Sequence, residues 1–543
     1  ADWKMFEAFH VDTYNFLLHG ANRINGSWLD AATDLAETSF STGGTLTTFN
    51  IGNYYGANGA AELTSVWESR YRGIRKCNRV INDMDRVPFD ITMSEDENKA
   101  IRATYKAEAR TFRAWFYWEL FLRYGPLPIV KEVLDPEKDD MVGPYKTRPS
   151  VKEYVVDFIL RELKESEGDL LTYDQAWSSN RIGRLSQPMS RALQCRILLY
   201  MASPRYSGES GISWKEAADA SKEFMNLYGA NFGLFQEENM SPADNYANAL
   251  LRTQYTGNNN EVIFFRNDVV INWSGIVQDT PGNGGNCPSQ NLVDMYDMAD
   301  GSSPFAQYDV TGAPVYNNGV PAVNSASGYN DADMWTGRDP RLDATVLYQG
   351  QAWGTMRVGS TIDVRPGMAD NPTGNANSTP TGYYMRKYIP ASILASNHAG
   401  TAYRLWTIIR YAEILMNYAE ALNEVQGPCQ EVYDMLDMVR HRAGITGSVA
   451  DRADLRNKDA MRNFIHKERT VEFAFEEHRP WDVRRWNCAQ EALARPIYGV
   501  NVAMDGTVTR KVAQTRVFEP HMYLYPIPEA EEWKTEIENN PGW

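Results

Sequence analysis

The sequence predicts a mostly α fold, a tetratricopeptide-like scaffold of helical pairs carrying a large loop-rich, partly β insertion. Three observations predict it. Apolar residues recur at helical steps in segments toward both ends of the chain. Stop and start signals punctuate those segments. Residues 256–400, about 27% of the chain, hold 17 of its 39 glycines. The strict 34-residue period of a tetratricopeptide array is not visible, so any repeats are separated by long insertions.

Taken in order, residues 105–124 place Tyr105, Phe112, Phe116, Leu120 and Tyr124 on one helix face and stop at Gly125-Pro126. Segments 151–166 and 188–203 also read as helices. Segment 214–228 opens at Trp214 after Ser213, a suitable N-cap. Toward the C-terminus, 405–425, 429–443 and 458–478 read the same way, the second closing at Ala443-Gly444. Between the two helical regions, GNNN at 257–260, TPGNGGN at 280–286 and NPTGNANSTPTG at 371–382 are turn and loop signals. The apolar run Glu261 to Phe265 reads as a strand. A prior of roughly 150 residues per domain would give three or four domains. The pattern instead favours a single domain over 1–543: scaffold at 60–255 and 400–486, insertion at 256–400, and a C-terminal tail at 487–543.

Composition excludes several classes. The chain has 543 residues, 43% of them hydrophobic, and a formal charge of −16. That apolar content is too high for disorder. No apolar run approaches the roughly 20 residues of a membrane span. An acidic balance without a basic tract excludes a nucleic-acid partner. The cysteines, Cys77, Cys195, Cys287, Cys429 and Cys488, form no C-x-x-C pair. Taken alone, this sparse, odd set favours a reducing compartment. The N-terminal stretch ADWKMFEAFHVDTYNF has no basic region followed by an apolar one, and its start at Ala favours trimming past a targeting segment.

A search for catalytic chemistry finds mostly absences. There is no phosphate loop, no H-E-x-x-H pair, no G-x-S-x-G and no S-x-x-K. GNGGN at 282–286 precedes no helix pattern, so a dinucleotide site fails. His466 and His478 lie 12 residues apart on one predicted helix, too far to share a metal. Two polar stripes remain: Glu413, Asn417, Glu420 and Glu424, and Glu468, Glu472 and Glu476. They would supply an acid/base pair in a helical glycoside hydrolase, or they pair with Arg410, Arg469, Arg479, Arg484 and Arg485 to pin helices together. Matching numbers of guanidinium and carboxylate favour pairing. Arginines lower a carboxyl pKa, whereas a general acid needs it raised.

At these segments the sequence resembles the SusD/RagB family of surface nutrient-binding lipoproteins. Glu468-Arg469, Glu472-Phe473, Glu476, His478-Arg479, Trp481-Asp482 and Arg484-Arg485-Trp486 are similar to the family's ER..EL.FE..R..D..RW pattern. Arg410-Tyr411-Ala412-Glu413-Ile414 with Tyr418-Ala419-Glu420-Ala421 resembles its RxAEIxLxxAEA helix. Tyr523 to Pro528 and Asn540-Pro541-Gly542-Trp543 resemble its ending. Upstream, Glu108-Ala109-Arg110, Arg113-Ala114, Tyr124 to Pro128, Pro288 to Val293 and Arg338 to Leu342 follow in family order. The resemblance spans about residues 60–543. The first 60 residues match poorly, and the family's lipidated cysteine is missing. Cys77 lies inside a predicted helix and cannot replace it.

The resemblance implies a helical fold with four tetratricopeptide-like units. It implies a non-catalytic protein, lipid-anchored and exposed at the outer-membrane surface, that binds a glycan and delivers it to a SusC-like TonB-dependent transporter. Membrane contact would come only through the anchor. A binder of peptides or glycoproteins is the alternative, and a helical glycoside hydrolase a more remote one. No cofactor is implied; calcium-type oxygen ligands are plentiful in the loops, but without EF-hand spacing.

Sugar rings present apolar C–H faces that stack on aromatic side chains, and a hydroxyl rim that amides and charged groups bind. Loops with aromatics beside amides are therefore the candidates. The first is 50–58, with Asn53, Tyr54 and Tyr55 flanked by glycines. The second is 267–274, with Asn272 and Trp273; the third is 330–338, with Trp335. Trp353 and Trp28 rank behind. In the family, ligand aromatics come from an early loop and from the region before the P-[ST]-Q segment, which Tyr54, Tyr55 and Trp273 match by region. Trp115, Trp118, Trp406 and Trp481 lie in predicted helices and read as core.

Overall fold

The computed structural model describes residues 2–21, 23–24, 26–39, 44–58, 61–178, 181–250, 259–270, 284–352, 361–374, 376–388 and 403–543. It is mostly helical, with short two-stranded antiparallel sheets. Contacts divide the chain into two compact units: Ala1–Leu18, Tyr54–Glu216 and Pro520–Trp543 form one, and His19–Asn53 and Ala217–Glu519 the other.

In the first unit, α1 (Trp3–Val11) precedes the long pair α2 (Ala61–Asp83) and α3 (Glu95–Tyr124). The third begins ten residues before the apolar periodicity becomes clear. Ser94 and Glu97 form a capping box there, each side chain accepting from the other's backbone N–H. It ends at Gly125, as its sequence signal predicts. The pair runs antiparallel: Arg123, near the end of α3, donates to Glu62 at the start of α2 (2.6 Å), and the Tyr124 hydroxyl donates to the Leu63 carbonyl (2.7 Å). A π-helix (Lys152–Leu160) leads into α4 (Arg161–Glu167), and α5 (Gln187–Ala202) follows. Trp115 and Trp118 are buried, as core residues should be. The C-terminal Asn540 amide donates to the Tyr124 and Tyr525 carbonyls and fastens the tail.

The second unit contains α6 (Trp214–Tyr228, from its Ala217 onward), α7 (Tyr411–Gln426), α8 (Gln430–Ala443), α9 (Lys458–Glu472) and α10 (Arg479–Arg485). Its loop-rich part carries β1 (Ala36–Thr38), β2 (Val262–Val270), β3 (Asn286–Pro288) and β4 (Tyr403–Arg410). Strand β1 pairs with β3, and β2 with β4. Two expectations are corrected here. Residues 405–410 are strand, because their β-branched run Thr407-Ile408-Ile409 pairs along β2, and the helix begins only at Tyr411. The helix expected over 458–478 stops at Glu472. Phe475 and Glu477 take left-handed φ values of 63° and 66°, and Pro480 opens α10. His466 and His478 therefore lie on different elements.

That break lets one carboxylate meet three arginines. Glu472, at the end of α9, accepts from Arg341 (2.8 Å), Arg410 (2.9 Å) and Arg442 (3.0 Å). Glu261 binds Arg410 and Arg442, Glu468 binds Arg341 and Arg440, and Glu476 binds Arg410 and Lys387. Asp297 takes Arg440, and Asp339 takes Arg341. All these side chains are buried. Burial would raise these carboxyls, but the surrounding guanidiniums hold Glu261, Glu468 and Glu472 below their usual range. On α7, burial likewise opposes ionisation of Glu420, yet Arg485 brings it down to about 2.

Removing one partner from such a buried cluster leaves uncompensated charge. Glu472→Gln should lower unfolding free energy by roughly 3–5 kcal/mol, read as a shift in urea midpoint with unchanged slope. The lowered carboxyls also fix the pH response. Unfolded, they titrate near 4.5. Their stabilisation is therefore complete above that pH and drains as pH falls toward 2. Melting temperature should drop steeply between pH 4.5 and 2.5, and Glu420→Gln should flatten part of that drop.

Candidate functional site

The tandem tyrosines divide between interior and surface. Tyr54 is 6% exposed and packs its ring 5.0 Å from Trp543. Trp543 is itself held by a hydrogen bond from its indole to the Leu524 carbonyl. Tyr55 is 56% exposed, and its backbone N–H donates to Asn58 Oδ1. Gly56 keeps the loop down. A Cβ there would come within 2.7 Å of the Ile527 carbonyl, and Glu529 N–H donates to the Gly56 carbonyl. Asn53, which closes the first segment of the second unit, is exposed. So this loop presents one ring, Tyr55, and uses the other as a footing.

In the second unit, Trp335 follows a short turn capped by the Asn330 side chain. Its half-buried indole stacks on Tyr348, with centroids 4.8 Å apart and planes 18° apart. The indole N–H donates to the Tyr383 hydroxyl (3.1 Å), which donates in turn to Gln290 Oε1. Gln290 donates to Asp294, and Arg510 clamps Asp294 through two hydrogen bonds and reaches Asp331. The chain of contacts thus closes on the turn just before Trp335. Both the plane and the edge of the indole are fixed before any ligand arrives. Polar groups stand around it: exposed Asp333 and Asp343, and half-buried Gln351, which donates to Asp343. Burial, reinforced by Asp343, holds the Tyr348 phenol well above its ordinary value, so it remains a neutral donor.

Asn272, Trp273 and Trp353 lie outside the described residues. Trp28 is not a ligand candidate. It is 1% exposed, packed among Tyr388, Trp406 and Phe475. Sequence reasoning missed Tyr348 and Tyr383, which no periodicity links to Trp335. Gln290 was visible only as part of the P-S-Q segment.

The carboxylate stripes are taken up by basic side chains. Glu424 binds Arg462, Glu420 binds Arg485, and Glu413 faces His478 at 3.5 Å. Asp30 runs the other way: burial pushes it up to about 8, but it is 1% exposed and out of reach of a substrate. Burial also pushes the thiols of Cys77, Cys287 and Cys488 up to about 12, far from a reactive thiolate. Among the described residues, no three His, Cys, Asp or Glu side chains converge to hold a metal, and no helix is long and apolar enough to cross a membrane.

The model of the SusD family matches residues 234–543, more than half the chain. The chain belongs to the SusD family. A second model, described as starch-binding and associating with the outer membrane, matches residues 14–176. SusD-like protein P38 of Formosa agariphila is 22% identical over 450 residues, 80% of this chain and 74% of its own. Among solved structures, a SusD-like protein of Bacteroides fragilis superposes with a TM-score of 0.78 at 24% identity, covering 100% of this chain and 97% of that one. A SusD-like carbohydrate binding protein of the same species gives 0.74 at 22% identity, covering 98% of each chain. At these identities the structures establish the shared fold, and they agree with the mostly α, helical-pair architecture expected from the sequence.

The two tyrosines of this SusD-family chain can be separated experimentally. Tyr54→Ala should cost roughly 3 kcal/mol of stability in denaturant unfolding. Tyr55→Ala should stay within about 0.5 kcal/mol of the parent.

Proposed function

We propose that this SusD-family protein binds a glycan at the outer-membrane surface without transforming it. It hands the glycan to a SusC-like TonB-dependent transporter, and a lipid anchor holds it at the membrane. The observation that carries this reading is the Trp335–Tyr348 platform, a fixed aromatic surface among exposed polar side chains in the loop-rich part of the fold. A pyranose ring needs that combination: an apolar face to cover its C–H groups, and donors and acceptors for its hydroxyls. Trp335 supplies the stacking face in the second unit, and Tyr55 is proposed separately as a stacking ring of the first. Asn53, Asn272 and Trp273 complete the proposed contacts. Tyr54, anchored on Trp543, holds Tyr55 in place. The carbohydrate-binding SusD-like neighbour supports the ligand class, and the starch-binding, outer-membrane description supports both class and location.

Absence of catalysis is part of the proposal. A glycosidase needs one carboxyl kept protonated at working pH beside the substrate. Arginines hold the buried Glu261, Glu420, Glu468 and Glu472 ionised, and Asp30 is sealed away.

Native affinity gels over a panel of polysaccharides test the reading. One or more glycans should retard the parent chain. Trp335→Ala should weaken that interaction ten- to hundredfold, about 1.4–2.8 kcal/mol, and Tyr55→Ala by a smaller factor. No reducing ends should appear on prolonged incubation. Retardation unchanged in both variants would contradict the site, and turnover lost in a carboxylate variant would contradict the non-catalytic reading.

A further inference from the structure

The first unit carries a crevice lined by two of its helices. One face of α2 forms its floor, through Thr64, Trp67, Tyr71, Ile74 and Asn78. The opposite wall is the C-terminal helix Glu529–Thr535 and Ile537. Fourteen residue steps of helix make the floor about 21 Å long. That length matches roughly six residues of an extended chain and exceeds most single small molecules. Two cavities, of about 350 and 390 Å³, lie along it and share Trp67, Glu68 and Glu531.

The two cavities differ in chemistry. The larger is walled mainly by apolar and aromatic side chains, among them Trp67, Tyr71, Ile74, Leu134, Tyr145 and Ile537. Walls of this kind suit a large apolar side chain. Of its arginines, Arg75 is tied to the Leu134 carbonyl at 2.9 Å, and Arg72 is exposed at the junction, 3.9 Å from Glu68. The smaller cavity is lined by Glu68, Glu529 and Glu531, with no lysine or arginine among its described lining residues. Lys534 lies 3.1 Å from Glu531, whereas Glu529 has no ion-pair partner among the described residues. An apolar compartment thus adjoins a carboxylate compartment along one straight floor.

We propose that this crevice binds an extended peptide segment of a partner protein in which a lysine or arginine adjoins a large apolar side chain. The apolar side chain fills the larger cavity, and the cation meets the three glutamates. This is the strand-like mode of recognition, in which pockets for successive side chains give specificity. The smaller cavity is also lined by Gly56 and Ala57, which follow Tyr55 in its loop, whereas the crevice does not involve Trp335.

The test uses the full chain and three labelled, Gly/Ser-flanked dodecapeptides that differ only in a central pair: lysine–phenylalanine, glutamate–phenylalanine and lysine–serine. In fluorescence polarisation the first should bind at least tenfold more tightly than the other two. Thr535→Trp, a half-buried position on the wall, should plug the crevice, and the double change Glu68→Lys with Glu531→Lys should reverse its charge. Each should cost at least tenfold in Kd for the first peptide, whereas Trp335→Ala should leave it unchanged. Three indistinguishable peptides, or a Kd unmoved by both crevice variants, would overturn the proposal.

Discussion

The second unit depends on the meeting of Glu472 with Arg341, Arg410 and Arg442. These arginines come from a short helix in the loop-rich part, the end of β4 and α8, segments far apart in sequence. Each guanidinium is fully desolvated, and none is tolerable there without its carboxylates. Such clusters contribute less to stability than hydrophobic replacements often would. What they enforce is register. If β4 slipped by one residue, Arg410 would leave Glu261, Glu472 and Glu476 together, stranding charge in the core. The geometry of the loops is therefore tied to the geometry of the helices.

That constraint explains why the candidate platform can be rigid although it sits on irregular backbone. Trp335 lies three residues before Arg338, whose guanidinium donates to the Met334, Val293 and Tyr296 carbonyls. Arg341, one helical turn further on, is locked into the charged cluster. The loop bearing the indole is thus fastened at its base by two buried arginines and along its edge by the Tyr383–Gln290–Asp294–Arg510 chain. A surface ordered in advance loses less entropy on binding than one that must assemble around its ligand.

Much of the helical frame was legible in the sequence, because amphipathic periodicity and caps are local. Trp214–Tyr228 and the Gly125 and Gly444 stops follow directly from such signals. The errors arose where local signals merged. The strand 403–410 runs without a break into α7, so its apolar residues blend into the helical pattern, and its partner β2 lies more than a hundred residues upstream. The spacing of Glu468, Glu472 and Glu476 imitates one helix across a break that Pro480 requires. The candidate site was legible only in part. Loop composition pointed to Tyr55 and Trp335, but the burial of Tyr54 depends on Trp543 at the far end of the chain. The backing of Trp335 by Tyr348 and Tyr383 is tertiary and has no sequence period. Family motifs, by contrast, were easy to read because they encode the charged cluster and its helices, which fix the fold and leave the ligand open.

The central claim is that a glycan ring rests on an aromatic surface the fold has already fixed. A crystal structure of the chain with an oligosaccharide selected by affinity gel tests it most directly. The account predicts a pyranose ring parallel to the Trp335 indole, Tyr348 still stacked behind it, and the Trp335–Tyr383 hydrogen bond intact. A sugar bound elsewhere, or one that displaces Tyr348 to reach the indole, would contradict it.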